Sequence, residues 1–142
     1  MGVLPNKAIL AIAAVVDIAV HSKERPVSAK ALAVRHALPP RHLEPVLQAL
    51  VREGLLRGIR GPGGGYALAR EPKDISAEEI LRAAGTVEED ATEPQVDSAL
   101  IQKAVLPAVA LAEQIFSDAL KKVRVADMVA AAVALGCDRP HT

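Results

Sequence analysis

Residues 54–68 read GLLRGIRGPGGGYAL and follow directly on a helix-like segment at 39–53. Two short apolar runs, 55–59 and 66–69, flank the tip Gly61-Pro62-Gly63-Gly64-Gly65. Short apolar runs on either side of a Gly/Pro cluster predict a β-hairpin. The glycines permit the positive φ that tight turns need, and they let backbone N–H groups come close to a phosphate. Arg57 and Arg60 stand at the mouth of the tip. A nucleotide-cradling P-loop fits poorly. That pattern ends in Gly-Lys-Ser/Thr ahead of a helix, whereas Gly65-Tyr66-Ala67 lie between strands.

Working upstream, Pro40 suits the first position of a helix, where a missing N–H costs nothing. Leu43, Val46, Leu47, Leu50 and Val51 recur at spacings of three and four and define one buried stripe. Arg41, Glu44, Gln48 and Arg52 fall elsewhere on the surface of this third helix, and Gly54 is placed to end it in the left-handed conformation. Pro45 lies inside it and should loosen its first turn. Residues 37–39 make a turn. Before them comes a short second helix, capped by Ser28, stapled by Val27 onto Leu32 and ending near His36. The first helix, about 6–21, is apolar on nearly all sides and reads as a central element. Two helices joined by a short turn, followed by a hairpin, make a winged helix-turn-helix. The expected fold is mainly α with a small β-hairpin wing. Such a fold presents a helix to the DNA major groove and lays the hairpin along the backbone.

Downstream, Ser76 and Glu79 form a capping box, and Ile75 and Ile80 the matching hydrophobic staple, of a fourth helix that ends at Gly85. Residues 86–95 are acidic, contain proline and lack periodicity, so they read as a linker loop. A long helical segment, 96–123, then carries Leu106, Val109, Phe116, Leu120 and Val123. Its apolar stripe is wider than a monomer with four short helices covers, and these five residues are expected at a dimer interface. Pro107 should kink this segment or start its ordered part. A last apolar helix spans 126–135. The expected division is therefore a DNA-binding unit at 1–85, a linker at 86–95 and a dimerisation unit at 96–142.

Composition narrows the function classes. The 142 residues have no net charge, but 1–73 carry eleven Lys/Arg against five Asp/Glu and 74–142 carry six against twelve. The halves are thus +6 and −6, and a polyanion is drawn to the first half only. Tyr66 and Phe116 are the only aromatics, too few to stack single-stranded bases. Double-stranded DNA is the expected partner.

Cys137 is the single cysteine, which excludes an intramolecular disulfide and a cysteine-ligated cluster within one chain. It reads as an incidental thiol. His21, His36, His42 and His141 show no metal-site spacing, so no metal is expected, and no catalytic constellation is visible, so the chain is not read as an enzyme. The apolar run 8–16 is too short to cross a bilayer and is followed by Asp17, so a cytoplasmic protein without membrane contact is expected.

Arg41 and His42 open the third helix, the end that dips toward base edges. Glu44 has two readings: a surface charge beside Arg41 and Gln48, or an acceptor for a cytosine amino group. Ser28 and Lys30 at the start of the second helix, and Lys7 in the first, suit phosphate contacts that set register. Arg57, Arg60, Gly61, Pro62, Gly63 and Gly64 make up the wing surface, with Arg60 suited to a narrow minor groove.

The segments Val16-Asp17-Ile18-Ala19-Val20-His21-Ser22, Leu43-Glu44, Ile59-Arg60-Gly61-Pro62-Gly63-Gly64-Gly65-Tyr66 and Val123-Arg124-Val125-Ala126-Asp127-Met128-Val129 resemble the Rrf2 family of bacterial winged-helix transcription regulators over nearly the whole chain. The resemblance implies a homodimer in which the long helices cross. It also implies two third helices that reach successive major grooves of a palindromic operator, with Arg41, His42 and Glu44 reading DNA beside Arg60 and residues 61–64. Under it, Glu44 leans toward base reading. Many members hold an iron–sulfur cluster through three cysteines in the loop before the long helix. Here residues 86–106 contain neither Cys nor His, and Lys103 and Leu106 stand about where the last cysteine and the histidine ligand would be. No cofactor is therefore expected. An unidentified small-molecule effector and a protein partner stay open as further binding classes. A protein-interaction module of the same fold is the rival reading of the chain.

Overall fold

The computed structural model describes residues 4–85, 87 and 99–137. Helix α1 (Asn6–His21) runs through the middle of the winged body. Around it pack α2 (Ala29–Arg35), α3 (Pro40–Arg52), the hairpin strands β1 (Leu56–Ile59) and β2 (Gly65–Leu68), and α4 (Ala77–Ala84). One apolar cluster joins them, including Ala11, Val15 and Ile18 of α1, Leu32 of α2, Leu43, Leu47 and Leu50 of α3, and Ile75 and Ile80 around α4. Small residues on α1 (Ala8, Ala11 and Ala14, all buried) let neighbouring elements come close. Each fully buried leucine or isoleucine contributes about 1.5–3 kcal/mol relative to exposure.

The open side of α1 differs from the sequence expectation. Ile9 is exposed, and Ile12 and Val16 are only half-buried. This face is covered in part by α6 (Val125–Ala134) and otherwise forms a groove.

Two helix ends show how local chemistry shapes the turn before α3. Helix α3 closes with Gly54 N–H donating to the Val51 carbonyl and Leu55 N–H to the Leu50 carbonyl, both at 3.0 Å, and Gly54 has φ 77°. Helix α2 closes the same way: Ala37 N–H donates to Val34 at 3.3 Å and Leu38 N–H to Ala33 at 2.9 Å. This is the Schellman arrangement, which needs a left-handed residue after the cap. At α2 that residue is Ala37, with φ 53°, where a Cβ is disfavoured. Pro45 removes the N–H that would bond the Arg41 carbonyl one turn back. Helix α3 still runs unbroken to Arg52, its start tightened by His42 N–H donating three residues back to the Pro39 carbonyl at 3.0 Å.

Ser28 caps α2, accepting from Ala31 N–H at 3.0 Å, and the Ser76–Glu79 capping box opens α4 with both reciprocal bonds present. The hairpin pairs Leu56 with Leu68 through Ile59 with Gly65. Val27 adds itself to the outer edge of β2, exchanging two bonds with Tyr66 at 2.8 and 2.9 Å. A Cβ on Gly65 would sit 2.5 Å from the Val27 carbonyl oxygen, so only glycine fits where the wing crosses the entry to α2.

The linker expected at 86–95 lies outside the described residues except for Val87. Chain in helical form returns at Ala99, widens to i→i+5 bonding over Ile101–Val105, and continues as α5 (Leu106–Lys121). The widened turn, in which Leu106 N–H reaches the Ile101 carbonyl, falls immediately before Pro107, whose ring cannot sit against a regular preceding turn. The long helix stops at Lys121, so Val123 is not on it. The Val123 carbonyl accepts from Ala77 N–H at 2.8 Å, and Val125 N–H donates to the Ile75 carbonyl at 2.9 Å. This short antiparallel bridge ties the C-terminal helices to the start of α4 and buries Val125 completely in the core.

Candidate nucleic-acid interface

The turn Ala37–Leu38–Pro39 delivers α3 with Leu43, Val46, Leu47 and Leu50 buried and Arg41, His42, Glu44 and Gln48 exposed. Three sequence-selected side chains thus stand in solvent within the first five residues of α3. Lys30 is exposed on α2. Lys7 is only partly exposed, and its Nζ donates to the Val87 carbonyl at 3.2 Å, beside a cleft it shares with Arg41 and His42.

On the wing, Arg57 and Arg60 are exposed. The tip turns through Pro62 and Gly63 (φ 75°), closed by Gly64 N–H donating to the Gly61 carbonyl at 2.9 Å. Proline followed by a left-handed glycine is the pattern of a type II turn. Because Val27 pins β2 to the entry of α2, the tip residues Gly63 and Gly64 share a notch with Arg25, Ser28, Ala31 and Arg35. No carboxylate among the described residues lines this notch. Ser28 serves the helix cap with its oxygen and keeps its O–H as a donor. Arg25, exposed at the notch, was missed by sequence reading because it lies in a polar loop without periodicity.

Sequence reading also missed what joins His21, His36 and Asp17. The Asp17 side chain is 6 % exposed. Arg35 forks onto it, with Nη2 at 2.7 Å from Oδ1 and Nε at 2.9 Å from Oδ2. His36 Nε2 donates to Oδ2 at 2.9 Å, and His21 Nδ1 lies 3.3 Å from Oδ1. Burial pushes the Asp17 carboxyl up, but the Arg35 hydrogen bonds and charge, with His36 and His21 adding to them, hold it below its ordinary value. The fork raises Arg35 in turn. Arg35 and His36 lie 18 and 19 residues from Asp17, and only His21, four residues on, has a local helical spacing to it.

Helix α5 has no buried residue. Of the five positions expected at a dimer interface, Leu106, Val109 and Val123 are exposed and Phe116 and Leu120 half-buried. Leu111 and Ile115, not selected from sequence, are the barest of the large apolar residues on α5, at 69 and 64 % exposure. The groove between α1 and α6, about 360 Å³, is walled by Ile9, Ile12, Val16, Val20, Met128 and Ala132, with Cys137 at its edge. No described helix is long and apolar enough to cross a membrane.

A sequence model of the Rrf2 family, described as an iron-dependent transcriptional regulator, matches residues 4–131. The HTH-type transcriptional regulator IscR of Photorhabdus laumondii is 36 % identical over 80 residues, covering 56 % of this chain and 49 % of the relative. The chain therefore aligns with about half the length of that relative. The structure of T. potens IscR superposes with a TM-score of 0.68 at 32 % identity, over 91 % of this chain and 87 % of that one. That of CymR, the global cysteine regulator of B. subtilis, gives 0.67 at 25 %, over 92 and 98 %. An iron–sulfur cluster takes several thiolates, and this sequence has one cysteine; no group of three or more His, Cys, Asp or Glu among the described residues is placed to hold a metal ion. The donor set does not fit such a cluster. With a helix-turn-helix, a glycine-tipped wing and a family match over most of its length, the chain belongs to the Rrf2 family of transcription regulators.

Proposed function

We propose that this protein is a sequence-specific DNA-binding regulator that grips a palindromic operator as a homodimer and works without an iron–sulfur cluster. The observation that carries this reading is the carboxylate-free notch between the wing tip and the start of α2, next in the chain to an α3 whose first turn is solvent-exposed. Arg25, Ser28, Lys30, Arg57 and Arg60, with the Gly61–Gly64 backbone, take phosphates and set register, and Lys7 adds to them from α1. Arg41, His42 and Glu44 read base edges, Glu44 as acceptor for cytosine N4. Arg60 is suited to the minor groove.

The exposed apolar side of α5 supports the dimer. A helix with Leu106, Val109, Leu111 and Ile115 in water is unfinished, and a second copy supplies the missing cover. A two-fold dimer presents two α3 helices about one DNA turn apart, which is why the operator is expected to be palindromic.

The test is a binding selection on fragments of the source genome, with wild type beside Arg60→Ala and the bound DNA sequenced. Enrichment of a short palindrome by wild type, recovered in much lower yield with Arg60→Ala, is the expected result. Equal recovery of all fragments by wild type at low salt would overturn the reading.

A further inference from the structure

We propose that Asp17 is the positioning residue of α3: its carboxylate, buried on α1, fixes the end of α2 and the turn that aims α3 at DNA. The proposal rests on the DNA-binding reading above and adds to it a residue that touches no DNA.

Asp17 holds Arg35, the last residue of α2, and His36, the residue that caps it. The next three residues are the turn, and Pro40 begins α3. The turn that joins α2 to α3 therefore begins directly after the groups Asp17 grips. The turn backbone includes Ala37 in the left-handed region, held by two backbone bonds, at 3.3 and 2.9 Å. A conformation of that kind persists only where its surroundings over-determine it.

Apolar packing of Leu43 and Leu47 holds α3 onto the core but has little directional preference. A guanidinium fork on a carboxylate is directional, since two parallel bonds fix the plane and the approach. Buried ion pairs are weak contributors to stability, because desolvation offsets their attraction, and their best-attested benefit is a fixed register. Arg41, His42 and Glu44 lie on the first turn and a half of α3, where small errors of placement cost base contacts first.

The cluster also stands between two surfaces. Arg35 and His21 line the wing-side notch with Arg25, Ser28, Gly63 and Gly64. Asp17, His21 and His36 line the apolar groove between α1 and α6 on the other side.

The experiment compares wild type, Asp17→Asn and Arg35→Lys on the selected operator and on a scrambled duplex of equal length. Arg35→Lys keeps the charge and loses the fork. Measurements are made where circular dichroism shows each protein fully folded. The positioning role predicts a fall of tenfold or more in the operator-to-scrambled affinity ratio for both variants. Affinity for the scrambled duplex and the salt slope should stay within about twofold of wild type, because phosphate contacts survive. Should Asp17→Asn fail to fold, Arg35→Lys carries the test alone. Folded Arg35→Lys that discriminates like wild type overturns the positioning role and leaves the DNA reading intact. Wild type that prefers neither duplex overturns the DNA reading and this proposal together.

Discussion

The winged body and the C-terminal helices are built from the same amino acids and end in opposite states. From α1 to α4 nearly every large apolar residue has found cover, and all but one of the buried core residues lie before residue 85. In α5 none is fully buried, although Leu106, Val109, Leu111 and Ile115 are as apolar as anything in the core. Val125 is the exception, buried because the backbone bridge to Ile75 and Ala77 draws it in. The contrast teaches that apolar content does not place a residue inside. The winged body closes on itself because its helices surround α1, whereas α5 extends past that body and needs a surface from elsewhere.

The sharpest way to break the comparison is to make α5 content in water. Leu111→Glu with Ile115→Glu should leave the winged body folded and convert the proposed dimer to monomer. Operator affinity should fall by about two orders of magnitude, since one half-site then binds alone. Sedimentation velocity beside a binding titration checks both parts. A monomer that keeps full operator affinity would show that α5 faces something other than a second copy.

On the winged side, Glu44→Ala should cost about 1–3 kcal/mol of discrimination at one base pair and relax preference there, while removing a charge that repels phosphate. Repeating the fragment selection with the variant reads this directly. Arg60→Ala should weaken binding almost equally on all duplexes and lower the salt slope by about one. The two variants thus separate reading from gripping within the body that is finished as a monomer.

Smaller effects test how that body is held. Ala37→Gly should raise stability by about 1 kcal/mol, because glycine suits the left-handed position and Ala does not. Thermal unfolding checks it, and a loss of stability would mean Ala37 makes a contact that outweighs its backbone cost. The Asp17 carboxyl is held below its ordinary value of 3.8. Its contribution is therefore fully present above that value and is lost as pH falls through the lower folded value. Acid unfolding should show a limb below about pH 4 that flattens in Asp17→Asn.

Much of this was legible in the chain. Ser28 and Ser76 with Glu79 announced their caps, Gly54 its left-handed stop, and the 43–51 stripe the buried face of α3. Each is a local rule, acting over four residues or one helical face. The exposed α3 residues followed from the same stripe by elimination. What could not be read was long-range. The Asp17 cluster gathers residues from both ends of an 18-residue gap, and Arg25 joins the wing only because Val27 crosses β2. Val123 was placed on the long helix by periodicity, and the bridge to Ala77 pulled it off.

The sequence by itself determined the helices, their caps, the hairpin and the sign of charge on each half, because these follow from backbone sterics and side-chain spacing within a few residues. Only the tertiary structure decided which polar groups meet. It set Arg25 and Arg35 against the wing tip, left α5 uncovered, and placed one buried carboxylate under the turn before α3. Contacts between distant segments depend on how whole elements pack, and packing is settled by the sum of many apolar contacts that carry no mark in the local sequence.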